Sequence, residues 1–474
     1  MRALAAPLLL APASMAPGDG DAVSFHREVR PILQARCTGC HQPAKPRGDV
    51  VLVRHADLLR VTNGVEPAVQ PGDPDGSLLV DVVTPHGGRA PEMPEDAEPL
   101  APEQVDLIRR WIAEGALDDT PEGARRGPSG PPVYRRPPVV TALDFSPDGE
   151  LLAVAGRGEV LLHRADGSEL VGRLVGLSGR IESVRFGPDG TRLAVAGGSP
   201  GETGELQVWK VAERELELSL PVTFDTIAGV SWSDDGTRVA FGCKDDSVRA
   251  VDAATGAELL YQKAHEDWVL GTAFSTDGSH LVSVGRDRSL KLVKVETQQF
   301  IDNITSITPG ALRGGLMAVE RHPTRDELLV GGADGVPKTY RMYREKDRVI
   351  GDDYNLIQAF EALPGRVFST VWSPDGTRVA AGSSLVGGGE VRVYAADAAE
   401  PLWSVTLAAG TYAVAFHPGG ERLAAAGFDG VVRLLDAGDG RVLAAFVPVP
   451  LEGVDETFEA AAEPASGTGE GGDS

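Results

Sequence analysis

Read for its apolar and polar positions, the chain changes character near residue 139. Before that point, apolar residues recur at spacings of three and four. Phe25, Val29, Ile32 and Leu33 fall on or near one face between Ser24 and Gln34, the period of an amphipathic helix. Pro31 interrupts the pattern, so the helix starts at Arg30 or bends there. From Pro102 to Glu114 the stripe is unbroken: Val105, Ile108, Trp111 and Ile112. Pro102 suits the first helical position, Glu103 and Asp106 favour the positive end, and Gly115 ends the helix. Residues 22–118 therefore read as one small all-α domain.

Beyond residue 139 the alternation is that of strands. A turn recurs as Ser146-Pro147-Asp148-Gly149, Gly187-Pro188-Asp189-Gly190, Ser233-Asp234-Asp235-Gly236 and Ser275-Thr276-Asp277-Gly278. His322-Pro323-Thr324-Arg325, Ser373-Pro374-Asp375-Gly376 and His417-Pro418-Gly419-Gly420 complete the set. The third residues of these turns stand 41, 46, 42, 47, 51 and 44 apart, which is the period of a four-stranded propeller blade. Alternating strands such as Val230-Ser231-Trp232 precede the turns, and apolar ones such as Leu193-Ala194-Val195-Ala196 follow them. Seven turns predict seven blades over residues 139–449, an all-β propeller. Ring closure stays open: the last blade draws its fourth strand from Arg441 to Pro448, or from the segment near Val133 to Val140. Gly-rich insertions at 199–205 and 385–390 and the polar stretch 341–358 are either contact loops or plain surface variation.

Composition refines this picture. The chain has 474 residues, more than one typical domain, with 58 Gly and 34 Pro, so turns outnumber long helices. A net charge of −24 argues against nucleic acid or an anionic membrane as partner and favours a basic one. Residues 119–138 are Pro/Gly-rich and read as a linker, with Arg125, Arg126, Arg135 and Arg136 solvated or touching acidic neighbours. Residues 450–474 hold seven acids and no Lys or Arg, and read as a disordered tail. Residues 1–21 read as a signal peptide and short lead, with cleavage after Ala13. No later run approaches the ~18 apolar residues of a membrane helix. The expectation is a soluble protein exported to the periplasm or beyond.

The chemistry concentrates at Cys37-Thr38-Gly39-Cys40-His41. This is the C-x-x-C-H spacing of covalent haem attachment. Two thiols three positions apart add to two vinyl groups on one porphyrin edge, and the adjacent His supplies an axial ligand to iron. A thioredoxin-type pair needs a βαβ context that is absent here. A zinc site needs a second Cys/His pair, also absent. The third cysteine, Cys243, sits in an apolar strand pattern and reads as a buried thiol. Met93, in Pro91-Glu92-Met93-Pro94, is the first choice for the second axial ligand, on a Pro-stiffened polar loop with little to pack against. His86 is the runner-up, and an open or water-bound site is the third possibility. His26 and His55 read as surface or packing residues.

These residues carry two resemblances. The order Phe25, Val29-Arg30-Pro31-Ile32-Leu33, Cys37 to His41, Pro71-Gly72-Asp73-Pro74, Ser77-Leu78-Leu79, Met93-Pro94 and Trp111-Ile112 resembles the planctomycete-type cytochrome c domain. That resemblance implies a mono-haem domain with His41 proximal and Met93 distal. The family usually shows Met-Pro-Pro, whereas Glu95 follows Pro94 here. The repeats resemble the WD40 family, although the Trp-Asp dipeptide is missing: Lys210 follows Trp209. His265, Ser283 and Asp287 match the WD40 bracing set without its Trp. Their spacing is that of a blade network, and no nucleophile elbow accompanies them, so they do not make a hydrolase.

The expected function is an exported c-type cytochrome carrying one covalent haem c. The propeller would hold a protein partner at its face, and a redox partner protein would exchange electrons. Two other readings stand beside it: an oxidoreductase whose propeller holds a substrate site and uses the haem as electron exit, and a haem-containing scaffold or sensor.

Overall fold

The computed structural model describes residues 22–42, 45–61, 66–95, 97–121, 130–305, 313–347, 349 and 353–452. The expected leader, residues 122–129 of the expected linker, and the tail from 453 lie outside them. The chain divides into two compact units, residues 1–41 with 46–126, and residues 127–474 with 42–45.

In the N-terminal unit the entry to the first helix is resolved by Pro31. Ser24 Oγ accepts the Arg27 amide at 3.0 Å, a side-chain cap that opens a π turn over Phe25–Val29. The α-helix proper runs from Arg30 to Arg36 with Pro31 in its first turn, where a missing N–H costs nothing. Asp119 accepts the Ser24 hydroxyl and the His26 amide at 2.8 Å, so the start of the expected linker belongs to this unit. Short helices follow at His55–Leu58 and Leu78–Val83, and a longer one at Pro102–Ala113. Gln104 caps the last by accepting the Ala101 amide at 3.1 Å. Three residues of its apolar stripe are fully buried, Ile108, Trp111 and Ile112, which pack with Phe25, Leu33 and Leu58, while Val105 is half-buried against them. Phe25 stacks on Trp111 with ring centroids 5.2 Å apart.

An all-α description is too simple for this half. The helices are few and short, and a two-residue strand pair, His41–Gln42 with Lys45–Pro46, follows the cysteines. Gly48, Pro67, Pro71 and Gly72 keep the middle of the unit free of long helices, because each Pro or Gly breaks a helical run.

The second unit is a seven-bladed propeller. Its blades span residues 143–174, 180–223, 227–262, 269–303, 316–359, 366–407 and 411–446, each a four-stranded antiparallel sheet with its strands in chain order. The recurring turn explains the regularity. In blade one the Ser146 amide bonds the Leu151 carbonyl at 2.9 Å. Asp148 accepts the Ser146 hydroxyl at 2.6 Å and the Glu150 amide at 3.0 Å. Gly149 takes φ 76°, a left-handed position that suits Gly. Blade five, without Asp-Gly, closes the same loop from the His322 amide to the Glu327 carbonyl at 2.7 Å.

Neighbouring turns are tied around the ring. Arg192 donates to the Gly236 carbonyl at 2.7 Å, Arg238 to Gly278 at 2.8 Å and Arg378 to Gly420 at 2.8 Å. His417 Nε2 lies 3.1 Å from the Gly149 carbonyl, joining blade seven to blade one.

Ring closure has a definite answer. The last blade takes its own fourth strand, Val442–Phe446, and the segment near Val133–Val140 is not that strand. Both flanking segments instead clasp blade one. Tyr134 bridges Leu451 in parallel and its buried hydroxyl donates to Glu159 at 2.8 Å. Arg173 reaches Glu159 and the Pro132 carbonyl, and His163 Nε2 lies 2.8 Å from the Pro448 carbonyl. Arg135 and Arg136 remain exposed. The insertions at 199–205 and 385–390 are extended hairpin ends of the second and third strands.

Candidate functional site

The first helix delivers the chain into the cysteine turn. The Cys37 and Thr38 amides both bond the Leu33 carbonyl, at 2.8 and 3.0 Å, and end the helix. The chain then wraps around the Cys37 carbonyl, which accepts the Cys40 amide at 3.1 Å and the His41 amide at 3.0 Å. One turn therefore carries both thiols and the imidazole. Thr38 is buried and its hydroxyl donates to the Gln34 carbonyl at 3.0 Å, while both cysteines stay half-buried.

Burial is the main force on both titrating groups here. It pushes the Cys37 thiol up to about 12, with Arg36 opposing. It pushes the His41 imidazole below its usual range, against the nearby carbonyls of Val50 and Arg47. A neutral ring is the form that binds a metal. His41 Nδ1 is buried without a hydrogen bond of normal geometry. Two half-buried thiols on one turn and a neutral imidazole with an orphaned ring nitrogen fit a covalently held porphyrin iron.

Met93 sits on a loop that two arginines hold. Its amide bonds the Val82 carbonyl at 2.9 Å. Arg36, at the end of the first helix, donates to the Glu98 carbonyl, and Arg47 pairs with Glu95 at 2.6 Å. Contrary to the expectation that it has little to pack against, Met93 lies against the same apolar core that Cys37 touches. The other histidines are engaged elsewhere. His86 is exposed and lies 3.0 Å from the Asp81 carboxylate. His26 Nδ1 contacts Arg30 at 3.2 Å. His55 lies 2.6 Å from the Ala116 carbonyl and edge-on to Phe25 and Trp111.

In the propeller, His265, Ser283 and Asp287 do meet. His265 Nδ1 is 3.0 Å from Asp287 and Nε2 is 2.7 Å from Ser283 Oγ. Burial alone would raise the Asp287 carboxyl. Its bonds to His265, Ser289 and the Glu266 amide hold it well below the usual carboxylate range. All three side chains brace one blade, and His265 and Ser283 are buried, so no substrate reaches them. Blade two braces itself differently: buried Glu205 accepts Ser178, Ser219 and Gln207, and Trp209 donates to Gln207 at 2.8 Å.

The seven first strands line a central cavity of about 820 Å³. At one end open the loops that join each fourth strand to the next blade and each second strand to the third. Trp268 stands there between Lys244 and Arg286, 4.9 and 4.5 Å from its ring. Phe368, Tyr412 and Phe428 form a ladder with 4.5 Å between successive rings, and Val386 is fully exposed. Deeper in the cavity lie Asp144, Arg185 and Glu320. The reading of the sequence overlooked these three. Aligning the turns exposes the signal: each sits two residues before its turn, where the other blades carry Ser, Ala or Val.

Comparison with known proteins matches both halves. The family model for planctomycete cytochrome C matches residues 37–96. The model for the WD domain, G-beta repeat, matches residues 133–163, 257–294 and 404–436. The chain is 29% identical over 112 residues to the WD repeat-containing protein 91 homolog of Dictyostelium discoideum, covering 23% of this chain and 15% of that protein. It is 29% identical over 208 residues to eukaryotic translation initiation factor 3 subunit I of Coccidioides immitis, covering 40% of this chain and 58% of that protein. With the same subunit of Aspergillus terreus it shares 27% over 280 residues, covering 55% and 79%. It thus spans less than two thirds of the first two relatives. The chain joins a segment of the planctomycete cytochrome C type to WD40 repeats that build a seven-bladed propeller.

Proposed function

We propose that this chain is an exported electron carrier. Cys37 and Cys40 would hold one haem c through thioethers, and His41 and Met93 would ligate its iron. When bound, such a group supplies reversible one-electron exchange at iron. The protein's own work is positional. The turn around the Cys37 carbonyl sets both sulfurs and the imidazole on one stretch of chain, and burial keeps the ring neutral. The loop held by Arg36 and Arg47 carries a soft thioether, which favours the reduced state.

The propeller serves as the partner-binding module. Exposed Trp268 and Phe428 at the cavity mouth are aromatic anchors of the kind that protein interfaces use. Fusing the two units raises the local concentration of the redox group at whatever the propeller holds. Among the described residues no helix is long and apolar enough to cross a membrane.

The observation that carries the reading is the Cys37–His41 turn. Visible spectra of the purified chain test it. A low-spin, six-coordinate iron in both oxidation states supports the carrier. A high-spin iron that readily takes up carbon monoxide supports a sensor or enzyme. The charges converging deep in the propeller cavity favour a second reading, an oxidoreductase with its substrate site there. A non-haem cofactor retained by the purified chain would support that reading.

A further inference from the structure

Asp144, Arg185 and Glu320 form one layer of the propeller channel, on the first strands of blades one, two and five. In a ring of seven blades, the second and fifth stand as far apart as the ring allows. Arg185 nevertheless reaches both carboxylates. Its Nη1 is 3.2 Å from Asp144 Oδ1 and its Nη2 is 3.5 Å from Glu320 Oε1. The other four blades carry the uncharged Ser231, Ala273, Val371 and Ala415 at this position.

The second oxygen of each carboxylate is fixed by backbone. Asp144 Oδ2 accepts the Phe186 amide at 2.7 Å, and Glu320 Oε2 accepts the Trp372 amide at 3.0 Å. The Arg185 carbonyl accepts the Trp232 indole N–H at 3.0 Å. The three side chains remain partly open to the cavity, at 15–33% exposure.

The charges do not balance. Two carboxylates share one guanidinium, which leaves one negative charge in a confined channel. The further cation acting on Glu320, Arg321, is taken by Asp234 at 2.5 Å and by the His322 carbonyl. The groups acting on Glu320 are thus Arg185 from blade two, Asp144 from blade one, Arg321 on its own strand and the Trp372 amide from blade six. A carboxylate in such a place resolves the imbalance by taking a proton.

We propose that this layer is a proton-operated latch: one proton from solvent, taken up on Glu320, releases Arg185 from blade five onto Asp144 and opens the channel. Burial lifts Glu320 to about 7 despite Arg185, and burial also raises Asp144. The negative charge of Asp144 pushes Glu320 in the same direction, so the first proton goes to Glu320. Above neutrality the latch is tied across the channel; below it, the arm to blade five is free.

Infrared difference spectroscopy on the full chain tests this. Acidification from about pH 8.5 to about 5.5 should produce the protonated-carboxyl band of one group per chain, with its midpoint near neutrality. The band should vanish in Glu320→Gln. In Asp144→Asn, which removes a like charge, the midpoint should fall by about one pH unit or more. A crystal structure of the chain at low pH should show Arg185 on Asp144 and apart from Glu320. Three results would each overturn the proposal: no such band in that range, the same band in Glu320→Gln, or an intact Arg185–Glu320 contact at low pH. Should Glu320→Gln fail to fold, the Asp144→Asn midpoint decides alone, and an unmoved midpoint sinks the latch.

Discussion

Arg47 and Glu95 form an ion pair of 2.6 Å that ties the chain six residues beyond His41 to the residue two beyond Met93. Glu95 stands where the resembling family usually has Pro. Both side chains are more than half exposed, so the pair contributes about 1 kcal/mol at most. Glu95→Ala should therefore shift the melting temperature of its unit by about 4–8 °C at most, and by less at high salt. Its larger effect should fall on the loop. In chain carrying haem, carbon monoxide should bind the reduced form faster in Glu95→Ala and Arg47→Ala than in wild type, as read by flash photolysis.

Met93 and His86 make opposite predictions. Met93 is tied into the unit by its amide and packs on the core, whereas His86 is exposed on Asp81. Met93→Ala should leave the ferric iron high-spin and lower the reduction potential, because the thioether favours ferrous iron. His86→Ala should change neither the visible spectrum nor the potential. The reverse pattern would exchange the two assignments.

Ser283→Ala separates bracing from catalysis. It strands buried His265 Nε2 without its partner at 2.7 Å, which costs about 1–3 kcal/mol. Urea unfolding should report that loss. Any hydrolytic activity of the preparation should be the same in wild type and variant.

The turn aspartates predict how the propeller responds to acid. Bonds from Ser275 and Ser279 bring Asp277 down to about 2, and bonds from Ser373 and Thr377 do the same for Asp375. A carboxyl lowered by folding adds stability above its ordinary value near 4 and loses it as pH falls through about 2. Both residues are exposed, so each contributes less than about 1 kcal/mol. Asp277→Asn and Asp375→Asn should be less stable than wild type at about pH 6, and the gap should close toward about pH 2. Chemical denaturation at both values checks it.

What the sequence made legible follows from which features repeat. Seven turns with Asp-Gly or its substitutes announce seven blades, because each needs a short polar turn between two apolar strands. The Cys37–His41 turn is legible because its chemistry lies in adjacent residues. Ring closure was not: Val442–Phe446 and Val133–Val140 both carry apolar residues, and only the fold shows Tyr134 reaching Glu159 across blade one. The channel layer was hidden for a similar reason. Asp144, Arg185 and Glu320 are far apart in the chain, and each alone reads as an ordinary strand charge. The packing of Met93 was missed because its neighbours in sequence are polar, while its neighbours in space are not.

The central claim is that Cys37, Cys40 and His41 grip one haem. The most direct measurement is the mass of the denatured chain after expression in a host able to mature c-type cytochromes. The account predicts a mass increased by one haem, retained through denaturation and lost when Cys37 and Cys40 are both changed to Ser. A colourless chain at its unmodified mass, with both thiols free to alkylate, would contradict it.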